Sequence, residues 1–341
     1  MSRGFRPIST LGDLWYVAAS VHGASSIYSV SVEVLELIMV FAGPRTMLGL
    51  ARTCRTFRNA FLAHMQSMTL RAITDFGLPA RELMRCMLNT SSVIAGSVAA
   101  NVITGSRYEP SALDVVTPAS EEHSMRAVLG QNMGCTPVDS VLPTGMQGSM
   151  WMLYEFEKEG RSIRLWVAVG ENASVPVMLT STTFVMNFIS PWGIYCAYPT
   201  LTLVRRGLVN HFTEADDDSN GDAFFSRVGP SFCKYVERGV VFEVNDRNWA
   251  DTLKKHRCFT SATCPHTIRS LYDRSGLHIS FPVAFDGLHD RATQNIRLDN
   301  NHTTIWSLGG GYCNEPLLYH AAFSQSKTLY SRVSDVSIVL G

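Results

Sequence analysis

The sequence predicts an α+β protein, with helices at the front, a mixed α and β module in the middle and a strand- and loop-rich end. Three observations carry this. Apolar residues recur at helical spacing between residues 32 and 89, and short strand-like apolar blocks begin at residue 93. Beyond residue 205, brief strands alternate with loops rich in Asp, Asn, Ser and Gly. The chain accordingly divides into an arm at 1–29, a three-helix unit at 30–66, an α/β module at 67–205 and a C-terminal region at 206–341.

In VEVLELIMVFA (32–42), Val34, Leu35, Ile38, Met39 and Phe41 make a broad helical stripe, with Glu33 and Glu36 outside it. Gly43-Pro44 ends that helix and starts another, because proline suits a first turn and not a helix interior. RTMLGLA (45–51) is the second helix. TCRTFRNAFLAHM (53–65) is the third, with Cys54, Phe57, Phe61 and Leu62 on one stripe. So small a unit cannot bury a full core alone. The helical pattern continues to residue 89, with Leu83, Met84 and Met87 on one side.

SSVIAGS (91–97) then predicts a strand entering a Gly-Ser turn, and VAANVI the helix after it. ALDVVTP (112–118) is a strand stopped by Pro118. SEEHSMRAVLG (120–130) is a helix capped by Ser120, with Glu121 and Glu122 at the positive end of its dipole. MWMLYEFE and SIRLWVAV flank KEGR as a hairpin, and STTFVMNFIS (181–190) reads as a helix capped by Ser181. GVVFEVN and LHISFPVAF are strands of the C-terminal region.

Composition excludes several classes. The 29 Lys and Arg balance 29 Asp and Glu, so no net field attracts nucleic acid or anionic lipid. Eight cysteines in 341 residues fit reduced, buried thiols and not a disulfide framework. Asp13 interrupts the apolar run LGDLWYVAAS, so no secretory leader is expected, and the triplets at Asn89, Asn172 and Asn301 read as chance matches. The uncharged stretch 172–204 is long enough for a membrane span, but Pro176, Pro191 and Pro199 divide it, and it reads as buried core. A cytoplasmic or nuclear protein is expected.

Metal and cofactor motifs are weak. EADDDSNGD (214–222) lacks the glycine and terminal glutamate of an EF-hand loop. His256, Cys258, Cys264 and His266 suggest zinc, yet the five residues between the cysteines exceed the usual gap, and buried thiols are the reading. SLGGGYC (307–313) lacks the lysine of a phosphate loop. The six tryptophans are too dispersed to form a stacking platform.

Residues 31–61 resemble an F-box. The run Leu48, Leu50, Cys54, Phe57 matches that family's Leu-x-Leu-x-x-x-Cys-x-x-aromatic pattern, and Val30 to Glu33 match its start, with Ser31 where the family has proline. The resemblance implies docking to the Skp-type adaptor of cullin ubiquitin ligases through Leu35, Ile38, Leu48, Leu50, Cys54 and Phe57. Exposure of Leu35, Ile38, Leu50 and Phe57 in isolated helices would be unfavourable by about 1.5–3 kcal/mol each.

Residues 93–118 resemble the opening of a nucleotidyltransferase fold. That family places Gly-Ser after its first strand and Asp-x-Asp at the end of the next, because phosphoryl transfer needs magnesium ions held between carboxylates and phosphates. Gly96 and Ser97 match the phosphate loop and Asp114 the second carboxylate, but Ala112 stands at the first and Arg164 at the third. The resemblance therefore implies a degenerate site, with Glu109, Glu155 and Glu157 as the acids that could substitute.

The order of these pieces is similar to a group of F-box-like proteins of mushroom-forming fungi with a degenerate nucleotidyltransferase-like domain. Segments 181–190, 196–210 and 234–242 are similar to others in that group. The expectation is a non-enzymatic adaptor without cofactor, presenting its second module to an unknown partner protein. The alternative is an active metal-dependent nucleotidyltransferase in which Asp114 and a second, unrecognised acid hold magnesium.

Overall fold

A computed structural model describes residues 32–106, 108–141, 149–210, 232–243, 259–282 and 304–308. The protein is mixed α+β. Four helices open the described chain: α1 (Val32–Phe41), α2 (Pro44–Ala51), α3 (Arg55–Thr74) and α4 (Ala80–Asn89). Pro44 occupies the first turn of α2 behind an extended Gly43, where its missing N–H costs nothing. The third helix runs past residue 66, where the helical unit was expected to end. Its buried stripe Phe57, Phe61, Met65, Thr69, Ile73 repeats every four residues and holds it against the core for 20 residues.

The rest is built on an eight-stranded sheet. The chain runs through β1 (Val93–Ala95), α5 (Gly96–Thr104), β2 (Ala112–Thr117), α6 (Glu122–Ala127), β3 (Thr136–Val141), β4 (Met150–Lys158) and β5 (Arg161–Ala168). It continues through α7 (Ser174–Met178), β6 (Asn187–Ser190), β7 (Gly193–Cys196), α8 (Pro199–Thr202), β8 (Arg206–Leu208), β9 (Val241–Glu243), β10 (Arg269–Ser270), β11 (Leu277–Ser280) and β12 (Ile305–Trp306). Strand order is β11-β7-β6-β1-β2-β5-β4-β3, and β8–β9 and β10–β12 form two small sheets. Only the β2–β5 pair of the large sheet is parallel among those described. At the β4–β5 turn Glu159 and Gly160 both have positive φ, 51° and 73°, as a two-residue hairpin loop of the right twist requires. The exposed edge strand β3 carries Pro137 and a register shift, both of which discourage pairing with another chain.

Two expectations fail locally. Ser120 does not cap: it lies in a 3₁₀ turn (Ala119–Glu121), and its hydroxyl donates to Glu171. STTFVMNFIS is not a helix. Thr182, not Ser181, caps a 3₁₀ turn at Thr183–Val185, and NFIS becomes β6, paired with β1 and β7. A short apolar run fits a fully buried strand as well as a helix, and the neighbouring strands decide it. The uncharged stretch 172–204 therefore folds into α7, β6, β7 and α8, and no described helix is long and apolar enough to cross a membrane.

Both faces of the sheet are covered. On one, Ile94, Leu113, Val115, Ile163, Leu165 and Ile189 share a core with Leu35, Phe57, Met84 and Val98 of the helices. The helical start is thus part of this core and not a separate unit. On the other, Val93, Val116, Phe188 and Tyr195 pack with Met178, Tyr198 and Trp306.

That second layer contains an ion pair with a buried arginine and a half-buried aspartate. Arg269, 2% exposed, pairs with Asp273 and donates from Nη2 to Ala197 O at 2.8 Å and from Nη1 to Ala262 O at 3.2 Å. Its guanidinium lies over the rings of Tyr198 and Trp306, at 4.7 and 5.4 Å. Asp273 also accepts from the N–H groups of Ser270, Ser275 and Gly276.

Candidate functional site

The geometry around Asp114 follows from the β1–α5 turn. Gly96 has φ +65°, in the left-handed region that favours glycine, and a Cβ there would lie 2.5 Å from Asp114 Oδ2. Glycine is thus required twice, by the turn and by the carboxylate pressed against it. Asp114 is mid-strand in β2, opposite Ala95 on one side and Arg164 on the other.

Arg164 Nη2 lies 2.7 Å from Asp114 Oδ1 and 3.0 Å from Oδ2, and Trp166 Nε1 donates to Oδ1 at 3.0 Å. Both carboxylate oxygens are therefore engaged by donors of β5. Across the hairpin Glu155 stands directly opposite Arg164, so the row across the sheet reads Asp114, Arg164, Glu155. The Arg164 guanidinium lies on the Asp114 oxygens, where a metal would need open oxygen ligands. Magnesium does not fit this arrangement. Among the described residues no group of three His, Cys, Asp or Glu side chains is placed to hold a metal.

A cavity of about 240 Å³ opens here, lined by Gly96, Asp114, Arg164, Trp166, Ser181, Thr182, Lys234 and Tyr235 among others. Asp114 is the one carboxylate among its described lining residues. Ser97 does not line it, and its buried Oγ has no hydrogen-bond partner, so of the expected Gly-Ser pair only Gly96 faces the cavity. Tyr108 donates instead to the Ser97 carbonyl at 3.1 Å. The other acids lie elsewhere: Glu109 pairs with Arg161, and Glu157 is an exposed residue of β4 opposite Ser162.

Lys234 belongs to a helix at residues 232–237 that closes one side of the cavity. Burial pushes its pKa down; Asp114 pulls it back up, while Arg238 and Arg164 push it further down. Arg238 lies 4.2 Å over the Tyr108 ring and 5.7 Å from that of Tyr235. Burial raises Tyr108 to about 12 against the opposing charges of Arg238 and Arg205.

The three segments singled out by resemblance meet at this rim. Leu208 N donates to Thr183 Oγ1 at 2.8 Å, Asn210 N to Ser181 O at 2.8 Å, and β8 pairs in parallel with β9. Gly207 is needed because a Cβ would lie 2.7 Å from both Thr182 Oγ1 and a ring carbon of Phe242. Arg205 and Arg206 do not line the cavity; Arg205 has φ +55° and accepts through its carbonyl from Val241 N.

Of the residues expected to bind an adaptor, Leu35, Ile38, Leu50 and Phe57 are buried in the chain's own core, while Leu48 and Cys54 are half-buried against it. Their apolar surface is satisfied internally, which corrects the expectation that they await a partner. Among the described side chains of α1, Leu37 (56%) and Phe41 (66%) are apolar and exposed, one turn apart. Cys264 is buried; His256, Cys258, residues 214–222 and residues 309–313 of the glycine-rich run lie outside the described residues.

Comparison of the chain with family models, with curated proteins and with solved structures finds no match.

Proposed function

We propose that the chain is a non-enzymatic adaptor whose nucleotidyltransferase-like pocket recognises a ligand without performing phosphoryl transfer. The observation that carries this reading is the Arg164 guanidinium on both oxygens of Asp114. Metal-assisted transfer needs several free carboxylate oxygens on divalent ions, and here a permanent cation takes their place. The adaptor half rests on the F-box resemblance together with Leu37 and Phe41, spaced as helix-in-groove anchors are.

Co-purification with a Skp-type adaptor tests the docking, comparing wild type with Leu37→Asp and Phe41→Asp. Retention of wild type and loss of both variants is expected. Equal behaviour of all three would remove the docking half. For the pocket, incubation with magnesium and labelled nucleoside triphosphates is expected to transfer no label to chain, RNA or protein; transfer that Asp114→Asn abolishes would establish the active alternative.

A further inference from the structure

The cavity holds more donors than acceptors. Arg164 and Lys234 bring two positive charges against the single negative charge of Asp114, so the described lining carries a net charge of +1. Asp114 is already engaged at both oxygens by Arg164 and Trp166. Arg164 lines the cavity with its side chain 27% exposed and spends only Nη2 on Asp114 among the described residues. Thr182 also lines the cavity, and its Oγ1 accepts from Phe184 N at 3.3 Å. No hydrogen bond or ion pair engages Lys234 Nζ among the described residues, and it lies 5.0 Å from the centre of the Tyr235 ring. A charged donor held half out of water without an acceptor is unfavourable, and a bound anion would relieve it.

Much of the remaining wall is apolar. Val116, Met150, Val177, Val185 and Phe232 share the lining with Trp166. At about 30 Å³ per water the volume equals roughly eight water molecules, room for a small ring with one head group.

We infer that this pocket binds a small organic oxyanion, a phosphate or carboxylate head group on a flat apolar body, without a metal, through Lys234 and the Arg164 guanidinium. This deepens the non-enzymatic reading above and rests on it. Lys234 supplies the charge, the arginine a fixed donor, and Trp166 and Phe232 the surface for the ring. Asp114 holds the guanidinium in place and is not itself a ligand.

The test is a calorimetric titration of the full chain with phenyl phosphate, benzoate and the neutral benzyl alcohol, each with magnesium and with a chelator. At least one anion is expected to bind at least about tenfold tighter than the alcohol, equally well in both conditions. The tighter anion identifies the head group. Lys234→Met should weaken that anion about tenfold and Lys234→Arg should restore it, with unfolding midpoints recorded alongside. Removing a charge from a half-buried position leaves the fold intact, so the variants remain readable. Anions no tighter than the alcohol, or an unchanged Lys234→Met, would overturn the inference and leave the non-enzymatic reading standing. Binding that requires magnesium would overturn both.

Discussion

Arg269 and Arg164 each face an aspartate on the same side of the large sheet, yet their surroundings differ. Every nitrogen of the Arg269 guanidinium is hydrogen-bonded, to Asp273 and to two carbonyls, between the rings of Tyr198 and Trp306. Arg164 engages Asp114 through one nitrogen, leaves Nε buried without a partner, and stands in the wall of a cavity. A saturated pair closes on itself and serves the fold. An unsaturated one keeps capacity for something else, and Arg164 keeps it in the wall of a cavity.

The largest expected effect comes from breaking the closed pair. Arg269→Met should cost about 2–4 kcal/mol in urea unfolding, because Ala197 O and Ala262 O lose a buried donor and the half-buried Asp273 loses its main charge partner. A loss below about 1 kcal/mol would erase the distinction between the two pairs. At the open pair, Gly96→Ala should cost about 1–3 kcal/mol through its left-handed backbone. Gly134 has nearly the same φ, +66°, with open space around it, so Gly134→Ala measures the backbone part alone. The excess at Gly96 reports the collision with Asp114, and equal costs would mean that the carboxylate moves freely.

The pH dependence sharpens the comparison. Burial would raise the Asp273 carboxyl, but the hydrogen bond and charge of Arg269 and the N–H groups of Ser275 and Ser270 outweigh it, and its pKa falls below the ordinary 3.8. A depressed carboxylate stabilises the folded state above its unfolded pKa and loses that contribution as pH falls through the folded one. Stability measured from pH 6 downward should therefore decline below about pH 4. In Arg269→Met this acid limb should be shallower, and an unchanged limb would assign it to other groups. The smallest effect belongs to the surface of α1: Leu37→Asp should change stability by no more than about 0.5 kcal/mol. Leu50→Asp, which places a charge in the core, should prevent folding, so it cannot serve as a docking variant.

Short-range order was legible. The turn from β1 into α5 follows from an apolar run meeting Gly96, and the β4–β5 hairpin from alternation around a Glu-Gly turn. The Asp114–Arg164 adjacency was foreshadowed by placing Arg164 at the position of a third acid. Lys234 was not foreseen in the pocket, since it lies 120 residues after Asp114 and no local pattern links them. Arg269 was missed for the same reason, although the i, i+4 spacing of Arg269 and Asp273 in RSLYD offered a signal.

The sequence by itself determined where helices and strands start and stop wherever glycine, proline or a clear period fixes the backbone: Pro44 at the head of α2, Gly96 at the head of α5 and Gly160 in the hairpin. The tertiary structure alone decided that NFIS is a strand, that the helical start joins the core of the sheet, and that Ser181, Thr182 and Lys234 meet around Asp114. The physical reason is range. Backbone sterics and side-chain periodicity act within a few residues, whereas strand pairing and cavity lining depend on which distant segments the hydrophobic effect brings together.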